Sequence, residues 1–289
     1  MTKCAFIGLG VMGFPMAGHL AKAGLRVTVF NRNRAKADSW CAAYDGQKAD
    51  SPRAAAQGAD FVFTCVGNDD DLRAVVLGED GVLAGLKPGA VLIDHTTTSA
   101  EVAREISAAC LAQNNAMLDA PVSGGEAGAV NGALTVMVGG APETFAKAEP
   151  ILAHFARASK LLGPAGAGQL TKMVNQICIG GLVQGLAEGL NFAEKAGLDG
   201  RAVIETISKG AAQSWQMENR YETMIDGAYD FGFAVDWMVK DLTICLDEAA
   251  RNGAPLPVTE LVKSYYEDLQ TMDGGRWDTS SLLKRLQSL

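Results

Sequence analysis

Cys4-Ala5-Phe6-Ile7-Gly8-Leu9-Gly10-Val11-Met12-Gly13 decides the architecture of this chain. Four apolar residues form a short strand, a G-x-G-x-x-G follows at once, and the segment behind it continues as a helix to about Ala23. With 33 glycines in the chain such a spacing alone means little. A strand before it and a helix after it are the context that a dinucleotide-binding turn requires. Gly8 permits the tight turn, Gly10 lets backbone approach a pyrophosphate, and Gly13 lets helix and strand pack closely. The helix N-terminus then favours the phosphate charge. Gly8, Leu9, Gly10, Val11, Met12 and Gly13 are therefore expected to cradle a dinucleotide.

Downstream, short apolar runs alternate with helical segments, the pattern of a parallel sheet with crossover helices. The expected strands are Cys4–Ile7, Arg26–Phe30, Phe61–Cys65, Val91–Asp94, Ala116–Ala120 and Leu134–Val138. Several are continuously apolar, as strands covered on both faces are. After Gly163-Pro164-Ala165-Gly166-Ala167-Gly168 this grammar stops. Gln169–Ala196 reads as one helix of about 42 Å, and the remainder as further helices broken at Pro255 and Pro257. The expected fold is an α/β Rossmann-type N-terminal domain, residues 1–163, and an all-α C-terminal domain, residues 164–289, joined by a long helix.

The 289 residues suit two domains. With 25 basic and 33 acidic residues the net charge is −8, which argues against nucleic acid or an anionic membrane as partner, since both require a basic footprint. No run of 18 apolar residues suggests a membrane span, and the first residues do not read as a signal peptide. The six cysteines show no metal-ligand or redox spacing, so no metal is expected. Cys4, Cys65, Cys178 and Cys245 lie among apolar residues and are expected in the core, and a reducing, cytoplasmic compartment follows.

Cofactor choice should be written at the end of the second strand, Phe30-Asn31-Arg32-Asn33-Arg34. NAD enzymes place an acid there for the ribose 2′-hydroxyl. Here Asn31 and Arg32 stand instead, with Arg34 and Lys36 behind them. A guanidinium can hold a 2′-phosphate through two hydrogen bonds, so NADP(H) is expected to be preferred, with NAD(H) possible. Solvation of a surface turn is the plainer use of the same cations. Tyr44-Asp45-Gly46-Gln47-Lys48 spells a Y-x-x-x-K, but its internal glycine disfavours the shared helix that such a catalytic pair needs.

Four ordered blocks carry a family resemblance: the Phe6–Gly13 turn, Asp119-Ala120-Pro121-Val122-Ser123-Gly124-Gly125, Gly168-Gln169-Leu170-Thr171-Lys172-Met173-Val174-Asn175, and Lys240-Asp241-Leu242. The chain resembles the β-hydroxyacid dehydrogenases over nearly its whole length. Within them it is most similar to the 3-hydroxyisobutyrate dehydrogenases, including the tail Gly275–Ser281. The resemblance implies that Lys172 is the catalytic lysine, that Asn175 orients the substrate, that Ser123, Gly124 and Gly125 bind it, and that Lys240 approaches the nicotinamide. Elementary chemistry agrees. Moving a hydride from an alcohol requires a group that takes the hydroxyl proton, and burial at a helix N-terminus disfavours a charged amine. A hydroxyl beside consecutive unobstructed N–H groups forms a nest for a carboxylate. A surface lysine and an ordinary tight turn are the bland alternatives. Asn68 and Thr96, beyond strand ends, are expected along the cofactor, while His95 reads as structural. Phe231 and Phe233 are candidates for shaping substrate choice, Phe233 foremost.

The expected activity is an NADP(H)-dependent interconversion of a small 3-hydroxy acid and its semialdehyde. Related alternatives are a glyoxylate or succinic semialdehyde reductase and an imine reductase, which generally lacks such a lysine. A non-catalytic NADP-binding scaffold is the alternative of another class. The apolar stripe of the long helix (Leu170, Met173, Val174, Ile177, Leu182, Leu186, Leu190) and Gly180-Gly181 lead to the expectation of a homodimer or homotetramer.

Overall fold

The computed structural model describes residues 1–289 and divides into two compact units, Met1–Lys172 and Met173–Leu289. In the first, the elements run β1 (Lys3–Ile7), α1 (Gly13–Lys22), β2 (Arg26–Phe30), α2 (Arg34–Ala43), β3 (Gln47–Lys48), α3 (Pro52–Ala56), β4 (Phe61–Thr64), α4 (Asp69–Leu77), β5 (Val91–Asp94), α5 (Ala100–Ala112), β6 (Ala116–Asp119), β7 (Val122–Ser123), α6 (Gly125–Val130), β8 (Leu134–Gly139), α7 (Pro142–Leu152) and β9 (Ala156–Gly163). α8 (Ala167–Lys195) runs on into the second unit.

The sheet order is β3-β2-β1-β4-β5-β6-β8-β7, with β9 on β8. β1 through β6 are all parallel in that order. Side chains alternate across the sheet, so Cys4 and Phe6 enter one core with Met16, Leu20, Trp40 and Phe155. Ala5 and Ile7 enter the opposite core with Val62, Leu72, Leu92 and Ile106. Two apolar faces per strand explain the continuous runs in the sequence. Side-chain caps set the helix starts: Asn33, Ser51, Asn68 and Ser99 each accept a backbone N–H from the first turn of α2, α3, α4 and α5.

The sheet is not wholly parallel. β8 runs antiparallel to β6 and β7, because the Gly124–Ala133 turn and short helix reverse the chain. β9 escaped the sequence reading since it pairs only β8 and carries Arg157, Ser159 and Lys160 on an exposed edge. Tyr44 ends α2 in an extended conformation and packs on Trp40, while Lys48 pairs with Asp38. The Y-x-x-x-K is thus not on a helix.

In the second unit, α9 (Gly200–Ile207), α10 (Trp215–Ile225), α11 (Val235–Asn252), α12 (Pro257–Thr271) and α13 (Leu282–Gln287) surround a core with the later turns of α8. Val183, Leu186 and Leu190 of α8 meet Met238, Leu242, Tyr266 and Leu269 there. Gly180 lies under Leu242 and Val262, where a Cβ would already be in contact. One expectation fails: Cys178 is exposed, because it falls on the other face of α8, whereas Cys110 occupies a core place instead. Trp215 and Trp237 are exposed. No helix is long and apolar enough to cross a membrane.

Candidate active site

The sheet order reverses direction between β1 and β4, and open parallel sheets bind ligands outside the carboxyl ends of strands at such a point. There Gly8 has φ +99°, and a Cβ on it would lie 2.1 Å from the carbonyl oxygen of Cys65, which follows β4. A Cβ on Gly13 would lie 2.0 Å from the Gly8 oxygen. Gly10 differs: nothing lies within 4 Å of its would-be Cβ. Two glycines are thus required by the turn itself, and the third leaves open room over the backbone. α1 begins without a side-chain cap and without an acid in its first turn, which suits a phosphate as the capping group. These residues fit a dinucleotide pyrophosphate.

Asn31 braces this turn: its Oδ1 accepts from the Leu9 N–H at 2.8 Å and its Nδ2 donates to the Asn33 carbonyl at 3.0 Å. The Arg32 side chain is 89% exposed and reaches Asp71 at 3.2 Å. Asn68 caps α4 through the Asp71 N–H at 2.8 Å. Thr96 is buried, and its hydroxyl donates to Asp94 Oδ1 at 2.6 Å and accepts from the Val66 N–H at 3.0 Å. The side chains of Asn31, Asn68 and Thr96 are therefore engaged in holding the loops. Burial pushes the Asp94 carboxyl up to about 7 against the hydrogen bonds from Thr96 and Thr64, with the charge of Asp119 adding to the rise. His95 is structural: Nδ1 lies 2.6 Å from the Ala120 carbonyl, the ring stacks on Phe63, and burial lowers its pKa to about 4.

Lys172 is the residue that the fold places most tellingly. It is 8% exposed, and its Nζ donates to the Val122 carbonyl at 2.9 Å. Val122 immediately precedes Ser123, Gly124 and Gly125, whose glycines take φ +132° and +62°. Residues 50 positions apart in sequence thus place the Lys172 amine on the backbone just before the Ser123-Gly124-Gly125 turn. Asp119 secures the arrangement. Its carboxylate accepts from the Gly166 and Gln169 N–H groups at 2.8 and 2.9 Å, fixing the start of α8 to the end of β6, and burial raises its pKa. In the sequence Asp119 stands only as the first letter of a block. A carboxylate closing an otherwise apolar strand was the available signal.

In the second unit, Asn175 Nδ2 donates to Gln176 Oε1 at 2.8 Å, and Gln176 Nε2 donates to Asp241 Oδ2 at 2.7 Å. Asp241 Oδ1 lies 3.0 Å from Lys240 Nζ. Asp241 is buried, so the Lys240 pair is not a loose surface contact. Gln176 joins two blocks 65 residues apart and was not singled out from the sequence. Phe233 packs against the helical core, and its N–H donates to the buried Asp278 at 2.9 Å.

Residues 3–177 match the NAD-binding domain of 6-phosphogluconate dehydrogenase, and residues 166–286 the NAD-binding domain of NADP-dependent 3-hydroxyisobutyrate dehydrogenase. The chain is 67% identical over 287 residues to an uncharacterised oxidoreductase of Shewanella frigidimarina, covering 99% of both chains. It is 42% identical to a probable mitochondrial 3-hydroxyisobutyrate dehydrogenase-like protein of Arabidopsis thaliana, over 100% of this chain and 86% of that one. The fold superposes on the Mycobacterium tuberculosis 3-hydroxyisobutyrate dehydrogenase with L-serine at a TM-score of 0.89, with 31% identity and 99% of both chains covered. With the glycine cradle and these similarities together, the chain belongs to the β-hydroxyacid dehydrogenase family and is an oxidoreductase that uses a pyridine nucleotide.

Proposed function

We propose that the protein is an NADP(H)-dependent dehydrogenase that interconverts a small 3-hydroxy acid of the 3-hydroxyisobutyrate kind and its semialdehyde. The observation that carries this reading is the Lys172 amine held against the Val122 carbonyl, one residue from Ser123. The nest of Ser123, Gly124 and Gly125 receives the substrate carboxylate. Lys172 Nζ takes the hydroxyl proton in oxidation and returns it to the carbonyl oxygen in reduction. The nicotinamide supplies the hydride acceptor or donor, and the chain supplies orientation. Gly8 to Gly13 would hold the pyrophosphate, Arg32 the 2′-phosphate, and the loops of Asn68 and Thr96 the remainder. Asn175, Phe233 and Lys240 complete the proposed set, the first two toward substrate and the third toward cofactor.

A panel of hydroxy acids and semialdehydes assayed with NAD and NADP, read by absorbance of the reduced cofactor, tests the reading. Turnover of a 3-hydroxy acid supports it. Nucleotide binding with no turnover on any member would make the protein a scaffold.

Ser123→Ala should raise KM for acid substrates by about 10–150-fold, the equivalent of ~1.5–3 kcal/mol for one hydrogen bond to a charged group. An aldehyde lacking the carboxylate should be nearly indifferent to the change. Equal losses on both compounds would reduce Ser123 to a turn residue.

A homo-oligomer is part of the proposal. Val174, Leu182 and Phe192 are 60%, 47% and 72% exposed, and Cys178 is exposed with them. Their spacing follows the helical repeat, so they line one face of α8. Gly181, Gly185 and Gly189 fall along the same strip with nothing within 4 Å of a would-be Cβ. Apolar side chains separated by glycines let a second copy of α8 approach closely. Light scattering should give a multiple of the 30.2 kDa chain mass, and Phe192→Asp should lower it. A monomer at micromolar protein would remove the idea.

A further inference from the structure

Gln169 lies in the first turn of α8, three residues before Lys172, and is fully buried. Both ends of its side-chain amide are spent on one loop. Nε2 donates to the Thr96 carbonyl at 2.7 Å, and Oε1 accepts from the Thr98 N–H at 3.1 Å. Its own N–H donates to Asp119 Oδ2. The loop it holds follows β5, and Thr96 Oγ1 accepts from Val66, just beyond β4. The first turn of α8 is therefore referenced to the carboxyl ends of β4, β5 and β6 together. Gly168 reinforces this, since a Cβ there would lie 2.4 Å from the Asp119 carbonyl oxygen.

An apolar side chain of similar volume would fill the same space but leave the Thr96 carbonyl and the Thr98 N–H without these partners. What the amide adds is a two-point register between helix and loop, because donor and acceptor must both be met in one orientation. We propose that Gln169 is a positioning residue that sets the Thr96–Thr98 loop against Lys172, so that the dinucleotide and the amine meet at a fixed separation. The inference rests on the dinucleotide and lysine roles proposed above. A misplacement of about 1 Å is enough to lower turnover markedly, and a loop not ordered in advance weakens binding.

The variant Gln169→Glu provides the test. It keeps the acceptor facing the Thr98 N–H and sets an oxygen against the Thr96 carbonyl, until protonation of the acid restores a donor there. Charged or titratable groups nearby are Asp119 at its backbone N–H, Asp94 through Thr96, His95 next to Thr96, Arg104 at the Gly166 turn, and Lys172 on the same helix. Dinucleotide affinity, measured by fluorescence titration, should fall about tenfold at alkaline pH and recover as the pH is lowered, relative to the unaltered protein at each pH. Hydrogen exchange of the Thr98 N–H without nucleotide should accelerate in Gln169→Leu while amides of β1 and β4 do not change. Should the leucine variant fail to fold, the nearly isosteric glutamate carries the test alone. Unchanged affinity at every pH together with unchanged exchange at Thr98 would show that Gln169 merely fills space. Failure of the unaltered protein to bind either nucleotide would instead overturn the dinucleotide reading, and the exchange measurement would still decide the register.

Discussion

Lys172→Ala is expected to lower kcat by a factor on the order of 10²–10⁴, the contribution of a positioned acid–base group, while nucleotide affinity is nearly preserved. The side chain is buried, and its amine is held by the carbonyl of the residue that precedes the nest. Truncation removes the proton carrier without disturbing the glycine turn at the far end of β1. Lys172→Arg sharpens the test. A guanidinium keeps the positive charge but does not release its proton in proteins, so it should be about as inactive as alanine. Recovery of most activity by arginine would mean that charge, not proton transfer, is what the position supplies. Steady-state kinetics on the best substrate, with a nucleotide titration and circular dichroism on each variant, separates loss of chemistry from loss of fold. Near-normal kcat in the alanine variant would sink the assignment.

How far the sequence reaches is visible in this neighbourhood. β1 and β5 were legible almost to the residue, because a strand buried on both faces is apolar throughout and is punctuated by glycine and proline. β7 was not, since two residues contain no periodicity, and β9 was not, since an edge strand may be polar. Lys172 and Ser123 could be named from the blocks that they occupy, but nothing in local pattern shows that Lys172 meets the Val122 carbonyl, 50 positions earlier and next to Ser123. That requires the closure of β6 onto the start of α8, which Asp119 makes through two backbone N–H groups. Gln169 and Gln176 were passed over for a related reason. A buried glutamine in an amphipathic helix looks like any polar position until its partners are known. Cys178 shows the converse, for an apolar neighbourhood in sequence does not say which face of a helix a residue takes.

Arg32→Asp is expected to reverse cofactor preference. An NAD enzyme would offer a carboxylate at the end of the second strand, accepting from the 2′-hydroxyl and repelling a 2′-phosphate. This chain presents Arg32 there, exposed to solvent and paired only with Asp71. An ion pair between exposed groups is worth ~0–1 kcal/mol, whereas hydrogen bonds between a guanidinium and a phosphate are worth about 1.5–3 kcal/mol. Asp71 thus steadies the guanidinium without outcompeting the phosphate. The unaltered protein should bind NADPH more tightly than NADH by about 10–150-fold, the same free energy written as a ratio of affinities. In Arg32→Asp the attraction becomes repulsion, and the new acid, beside Asp71, concentrates negative charge where the phosphate would sit. NADPH binding should fall by more than that ratio while NADH binding changes little, so NADH becomes the better ligand. Titration of both nucleotides into both proteins at constant ionic strength decides the matter, because an exposed charge is screened by salt. Equal affinity of the unaltered protein for the two nucleotides would leave Arg32 a solvated turn residue, and cofactor choice would then have to reside in another part of the cradle.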